Sequence, residues 1–164
     1  MRFFLAGIIQ GSKAKGIHGQ DYRERLRQIL RSAFPEDEVY CPMEEHPESI
    51  SYGRDNARKT FFGLMSAASQ ADVLVAYLPQ ASMGTAIEMW EAKRAGRCVI
   101  AISPMKKNWV IRFLTDVVYE TLEDFELAVA DGSLTDIVFC ANGTIEKQQA
   151  RGRNASNPKR GSEK

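Results

Sequence analysis

The residue of this chain best suited to covalent chemistry is Glu88, in the segment Ser82-Met-Gly-Thr-Ala-Ile-Glu88. A carboxylate at the mouth of a crevice can attack the anomeric carbon of a sugar and hold the sugar as a covalent ester. The backbone N–H groups of Ser82–Thr85 can bind an anion such as a phosphate. Gly84 lets a ligand approach the backbone closely because it carries no Cβ. The pattern Thr85-x-x-Glu88 also fits a capping box, in which Glu88 only stabilises its own helix, and on pattern alone the capping box is favoured.

The segment before Glu88 predicts where its side chain would lie. Val73–Leu78 is an unbroken apolar run, Pro79–Gly84 is a loop of small residues, and Thr85–Ala95 has the composition of a helix. A wholly apolar strand, a short loop and a helix form half of a βαβ unit. Ligands of such sheets bind beyond the carboxyl ends of the strands. We therefore expect the site at that end, beside Glu88.

The rest of the chain repeats this alternation. The predicted elements, in order, are strand Phe3–Ile9, helix Gln20–Ala33, strand Val39–Cys41, helix Arg54–Ser69, strand Val73–Leu78, helix Thr85–Ala95, strand Cys98–Ser103, helix Trp109–Leu114, strand Val117–Tyr119 and helix Leu122–Ala130. Alternating strands and helices predict an α/β fold with three layers, a parallel sheet of about five strands covered by helices on both faces. The expected class is flavodoxin-like or Rossmann-like, with strand order 2-1-3-4-5.

In that order the first and third strands are neighbours, so the loop Gly7–Ser12 would face Pro79–Glu88 across one crevice. Within the first loop Gly7, Gln10, Gly11 and Ser12 are candidate binding residues, because Gln10 and Ser12 can hydrogen-bond sugar hydroxyls or phosphate. The glycines do not form G-x-G-x-x-G, so no dinucleotide site is indicated.

Two polar features are interpreted structurally. Asp72 begins the third strand at the end away from the crevice, which is typical of a turn or capping residue. Arg23, Arg27 and Arg31 recur every four residues in the first helix and predict a solvated face.

Composition excludes several functional classes. The net charge of +1 over 164 residues argues neither for nor against nucleic acid, and we do not expect nucleic acid as a partner. The three cysteines and two histidines show no ligand spacing, so we expect neither a metal nor another cofactor. No run approaches the ~18 apolar residues that a membrane span requires. Cysteines within apolar runs predict buried thiols, and hence a cytoplasmic location.

The C-terminal segment differs from the remainder. Residues 144–164 contain six Lys/Arg against two Glu and no aromatic residue, which leaves the rest of the chain near −3 (+1 minus +4). Such a segment cannot bury enough apolar surface to fold. We therefore predict one domain, 1–143, followed by a disordered basic tail, 144–164. The apolar run Leu134–Cys140 is interpreted as an added edge strand or a partner-binding segment.

Three segments carry a resemblance to a known family: FFLAGIIQGS, ADVLVAYLPQASMGTAIEMWEA and GRCVIAISPMKKNWVIRFL. Over about Arg2–Asp131 the chain resembles the nucleoside 2-deoxyribosyltransferase superfamily, which includes the 2'-deoxynucleoside 5'-phosphate N-hydrolases. The resemblance implies that Glu88, at the end of G-x-x-x-E, is the nucleophile and that Ser82 contacts phosphate. It also implies a homodimer or larger homo-oligomer in which a neighbouring subunit completes each site through about Asn108–Arg112, so that Asn108 binds substrate.

The chain departs from the hydrolases of that superfamily at three positions. Phe4 replaces a tyrosine, Gln10 replaces an arginine, and Leu64 stands where the hydrolases have an aspartate general acid. Leucine cannot donate a proton, so Asp55 at the start of the same helix is our candidate acid. Two hypotheses follow: an enzyme that cleaves or transfers the N-glycosidic bond of a (deoxy)nucleoside or its 5'-monophosphate, or a nucleotide-binding module without catalysis.

Overall fold

A computed structural model describes residues 1–9 and 19–139. Five parallel strands form one sheet in the order β2-β1-β3-β4-β5, which confirms the predicted order and fold class. The strands are β1 (Arg2–Gly7), β2 (Glu38–Tyr40), β3 (Val73–Tyr77), β4 (Cys98–Ile102) and β5 (Val117–Tyr119). The helices are α1 (Asp21–Ala33), α2 (Pro42–Glu45), α3 (Arg54–Gln70), α4 (Met83–Arg94), α5 (Trp109–Leu114) and α6 (Leu122–Ala130), with a 3-10 turn at Ser49–Ser51.

The sheet is buried on both faces, which explains why its central strands are apolar at successive positions. Along β1, Phe3 and Leu5 face a core formed with α1 and α6, whereas Phe4 and Ala6 face a core formed with α3, α4 and α5. Neighbouring residues thus point to opposite layers, as the pleat of a strand requires. The carboxyl ends of β1 and β3 lie side by side, with Gly7 paired to Tyr77.

The strands are aligned from the opposite end of the sheet by two aspartates. Asp72 Oδ2 accepts a hydrogen bond from the backbone N–H of Arg2 at 2.8 Å, and Asp116 Oδ2 accepts one from Val99 at 2.8 Å. Each aspartate precedes a strand and binds the backbone of the neighbouring strand. The structural interpretation of Asp72 therefore agrees with its contacts.

The prediction of an edge strand at Leu134–Cys140 is wrong. Residues 133–139 are helical, and Leu134 and Val138 are completely buried in the same core as Phe125. The two side chains are four residues apart, which places both on one face of a helix. Cys140 and the predicted tail 144–164 lie outside the described residues.

Candidate active site

The start of α4 differs from its prediction. Ser82 is the N-cap, and its Oγ accepts hydrogen bonds from the Thr85 backbone N–H at 3.4 Å and from Thr85 Oγ1 at 3.0 Å. The helix begins at Met83, so Thr85 occupies the third helical position and Glu88 lies in the second turn. The capping box between Thr85 and Glu88 is therefore wrong, because the better cap stands three residues earlier.

The carboxyl group of Glu88 is the central feature of the candidate site. Only 7% of the surface of Glu88 is exposed, and no residue among 1–9 and 19–139 forms a hydrogen bond or ion pair with its carboxyl group. Burial disfavours the charged form and raises the pKa of Glu88 from 4.5 to about 8, against a smaller opposing effect of the Arg23 guanidinium. The anion that forms above this pKa is poorly solvated and not neutralised by a direct ion pair, which favours nucleophilic attack.

Arg23 lies beside Glu88 rather than on the solvated face predicted for it. The residue is 4% exposed, and its guanidinium donates to the carbonyls of Leu5 at 2.9 Å and Gly7 at 3.0 Å. Its Nε also donates to Gln20 Oε1 at 2.6 Å. Proline has no N–H, so Pro42, which follows the short β2, cannot supply a ladder donor to β1. The guanidinium thus occupies the end of β1 that β2 leaves unpaired.

Arg23 was missed because its four-residue spacing from Arg27 and Arg31 suggested a charged stripe. A second spacing carried the correct signal, since Arg23, Leu26 and Leu30 share one helix face and all three are buried.

The neighbouring Tyr22 also reaches this end of β1. Its ring stacks on Tyr77 with centroids 4.3 Å apart. A Cβ at position 7 would lie 2.3 Å from the Tyr22 hydroxyl, so the absence of a side chain at Gly7 makes room for that hydroxyl. Gly7 is therefore required for close packing as well as for access to the crevice.

A cavity of about 530 Å³ opens beside these residues. Its lining includes Gly7, Ser82, Gly84 and Thr85, so the structure brings together four of the predicted binding residues. The remaining wall is mainly apolar and comes from Ile9, Ser49, Ile50, Phe61, Leu64, Met65, Met83 and Ile87. This size and this mixture of apolar walls with a few polar groups are typical of sites for small organic ligands.

Other predicted residues lie elsewhere. Asp55 is exposed in the first turn of α3 and does not line the cavity. Asn108 is the N-cap of α5, where its side chain accepts from Val110 N at 2.9 Å. It lines a smaller cavity of about 180 Å³, which shares Ser82 with the larger one. Gln10, Gly11 and Ser12 lie outside the described residues.

The described part of the chain contains no group of His, Cys, Asp and Glu side chains arranged to bind a metal ion. None of the helices in that part has the length and apolar character needed to cross a bilayer.

Solved structures share this α/β fold, whereas no protein-family model and no curated protein sequence matches the chain. One is a 2-deoxyribosyltransferase from the psychrotolerant bacterium Bacillus psychrosaccharolyticus, described as a biocatalyst for nucleoside synthesis. It superimposes with a TM-score of 0.59 and 19% sequence identity, over 77% of this chain and 90% of that one. A conserved protein from Enterococcus faecalis V583 superimposes with a TM-score of 0.56 and 18% identity, over 80% and 98%. At these identities the similarity is one of fold.

Proposed function

We propose that this protein cleaves or transfers the N-glycosidic bond of a (deoxy)nucleoside or its 5'-monophosphate, with Glu88 as the nucleophile. The observation that carries the proposal is the buried carboxyl group of Glu88, unpartnered among the described residues, at the carboxyl end of the sheet. A cavity of about 530 Å³, whose lining includes Thr85 and Ile87 of the same helix, suits a ligand of nucleoside size. The fold shared with a 2-deoxyribosyltransferase supports the same substrate class.

In the proposed reaction an oxygen of the Glu88 carboxylate bonds to C1' as the bond between C1' and the base nitrogen breaks. The bonding electron pair leaves with the base, which takes up a proton. Water then attacks C1' of the glycosyl ester in a hydrolase, or a nitrogen of a second base attacks it in a transferase. Either attack releases the Glu88 carboxylate, and no metal or redox cofactor is required.

The start of α4 is the proposed subsite for the sugar and its 5' group. Ser82, Gly84 and Thr85 line the cavity at a helix N-terminus, where the first backbone N–H groups lack intrahelical acceptors. Such N–H groups favour an oxygen-rich or anionic ligand. We also assign the first loop, Gly7–Ser12, to this subsite. Gly7 is the candidate binding residue of this loop that the structure describes.

The proton for the departing base needs a donor. We retain Asp55 as the proposed acid, although it is exposed and Leu64 is the residue of α3 that lines the cavity. Asp55→Asn is expected to slow release of poor leaving groups more than that of good ones. Equal rates for the variant and the wild type on all bases would remove Asp55 from the mechanism.

The first test of the function is base release. The purified chain is incubated with nucleosides, 2'-deoxynucleosides and their 5'-monophosphates, with and without a second free base, and the products are separated chromatographically. Glu88→Gln is expected to reduce turnover by about 10³-fold or more. Glu91→Gln is the matched control, because Glu91 lies on the same helix, is partly exposed and forms a salt bridge with Arg94. Absence of turnover in the wild type, or full activity of Glu88→Gln, would refute the proposal.

The second test detects the covalent intermediate. Protein quenched during turnover is digested, and the peptide that contains Glu88 is examined by mass spectrometry. A pentose-sized mass increase on Glu88 is expected in the wild type and not in Glu88→Gln. The same adduct on another residue would reassign the nucleophile.

A non-catalytic nucleotide-binding module is the second candidate function. It is favoured by the pKa of about 8, which leaves Glu88 mainly protonated at neutral pH and able to donate a hydrogen bond to a ligand. The apolar Leu64 in the cavity wall fits the same interpretation. Saturable nucleotide binding without base release at any pH from 6 to 10 would establish this alternative.

We also propose that the protein forms homodimers through α4 and α5. Met83 and Trp109 are 84% and 77% exposed, and Phe113 packs against Trp109 with centroids 6.3 Å apart. Met83 lines both the large and the small cavity, so a second copy seated here would border the site. Light scattering should show a dimer that Trp109→Glu dissociates.

The free thiols of the buried Cys41 and Cys98 fit a proposed cytoplasmic location.

A further inference from the structure

We propose that the Tyr22 hydroxyl is a binding group of this site and donates a hydrogen bond to an oxygen of the ligand's pentose. This inference rests on the proposed function and adds to it a contact on the α1 side of the sheet.

The first observation is an unsatisfied polar atom. Among the described side-chain nitrogen and oxygen atoms that have essentially no exposed surface, the Tyr22 hydroxyl is the one without a hydrogen-bond partner. Native proteins rarely leave such a group unpaired, because a buried polar group without a partner loses its hydrogen bonds to water and gains none in return. A ligand that supplies the missing acceptor explains why the group is retained.

The second observation is that the hydroxyl is held in place. The Tyr22 ring stacks on Tyr77, and the Arg23 guanidinium carbon lies 5.2 Å from its centroid. The hydroxyl lies over Gly7, where any Cβ would clash with it. A phenol clamped in this way loses little conformational freedom when a ligand binds, which favours affinity.

The third observation is the position of Tyr22 between two cavities. Gly7 lines the cavity of about 530 Å³, while Tyr22 and Tyr77 line a second cavity of about 300 Å³. Glu88 is close enough to influence the titration of Tyr22. The hydroxyl, which lies next to Gly7, is therefore placed between residues that line the two cavities and near the proposed nucleophile.

The charges around the Tyr22 hydroxyl indicate which kind of ligand oxygen it binds. Burial raises the pKa of Tyr22 to about 12, with Arg23 opposing the shift and Cys41, Glu88 and Tyr77 adding to it. The phenol thus remains a neutral donor at physiological pH. A phosphate here would face Glu88 once that carboxyl ionises, and like charges at close range are unfavourable. An uncharged pentose oxygen meets no such repulsion, so the sugar is the better match.

The inference is tested by Tyr22→Phe, which removes only the hydroxyl. The free protein should lose no thermal stability, because an unsatisfied buried group is removed. Binding is measured by calorimetry in the Glu88→Gln background, which prevents turnover, with adenosine, 2'-deoxyadenosine, cytidine and 2'-deoxycytidine. The dissociation constant of the nucleosides that bind should rise about three- to tenfold, the effect of one neutral hydrogen bond. Affinity for free adenine or cytosine should not change, because those ligands lack the sugar.

Tyr119→Phe is the control, since Tyr119 is a partly buried tyrosine at the end of β5 that packs on Phe125. It should leave nucleoside affinity unchanged. Equal nucleoside affinity with and without the Tyr22 hydroxyl would overturn the inference and leave the proposed function intact. A clear loss of stability in free Tyr22→Phe would also overturn it, because the hydroxyl would then have a partner within the protein. A wild type that binds no nucleoside and releases no base would refute the proposed function, and the inference with it.

Discussion

The burial of Glu88 makes a prediction that does not depend on any activity. Its pKa of about 8 in the folded chain lies above the ordinary value of 4.5. A carboxyl group with a raised pKa binds protons more tightly in the folded state, so its contribution to stability is fully present below pH 4.5. That contribution is lost as the pH rises through 8. The wild type should therefore become less stable with increasing pH because of this one group.

The magnitude follows from the two pKa values. Integrated proton linkage makes the loss of unfolding free energy caused by the raised pKa of Glu88 about 1 kcal/mol at pH 5, about 3 kcal/mol at pH 7 and nearly 5 kcal/mol at pH 9. Glu88→Gln keeps the shape of the side chain and removes the titration. Between pH 5 and pH 9 the variant should therefore gain about 4 kcal/mol of unfolding free energy relative to the wild type. Domains of this size are typically stable by about 5–15 kcal/mol, so the difference is large.

The assay is urea-induced unfolding of both proteins at pH 5, 7 and 9, followed by circular dichroism and tested for equal m-values. Glu91→Gln provides the control, because Glu91 is a partly exposed residue of the same helix and its removal should leave the two curves parallel. Parallel pH dependence of the wild type and Glu88→Gln would refute the reasoning. It would mean that Glu88 is solvated or partnered in the folded protein, and the case for a poorly solvated nucleophile would fail.

Three further predictions concern the same end of the sheet. If the Glu88 anion is the nucleophile, kcat/KM for base release should rise with pH and reach a plateau above pH 8, with about a tenfold lower value at pH 7. Arg23→Met removes the positive charge that lowers the pKa of Glu88, so this pKa should rise further. The rise is measured as a higher pH midpoint for the stability difference between proteins with Glu88 and with Glu88→Gln, both carrying Arg23→Met. Arg23→Lys keeps a positive charge and should largely restore the original midpoint. Gly7→Ala places a methyl group 2.3 Å from the Tyr22 hydroxyl and should cost about 1–3 kcal/mol in urea unfolding, partly relieved by adding Tyr22→Phe.

The sheet could be predicted because its signals are local. Buried parallel strands are apolar on both faces, and the segment that became β3 shows this in five successive residues. The order of the strands then follows from general rules of connection. The boundaries of α5 and α6 were also predicted correctly, since Asn108 and Thr121 are capping residues placed directly before an apolar stretch.

The start of α4 was misplaced although its signals are also local. Ser82 and Thr85 are both good N-cap residues, and the prediction considered only Thr85 as the cap. In the structure Ser82 is the N-cap, and this start of the helix determines where Glu88 lies. Had the helix begun after Thr85, Glu88 would have been occupied with its own N-terminus, whereas one turn further along it points into the interior.

The surroundings of Glu88 could not be predicted, because they depend on residues far apart in the sequence. The sequence does not indicate a role for Tyr22, and only its approach to Gly7 shows that its hydroxyl lies at the carboxyl end of β1. Arg23 looked like a solvated cation, and only the unpaired carbonyls of Leu5 and Gly7 show why it is buried. The spacing of Arg23 from Leu26 and Leu30 indicates that Arg23 is buried, but it does not reveal which backbone carbonyls its guanidinium contacts.

The burial of Arg23 has a structural cause, the difference in length between β1 and β2. Strand β1 continues to Gly7, but β2 pairs with it only as far as Phe4 before the chain reaches Pro42. The last carbonyls of β1 are then available to Arg23, which donates to Leu5 and Gly7. An early end to one strand thus explains the buried cation, and this cation is the charge that opposes the raised pKa of Glu88.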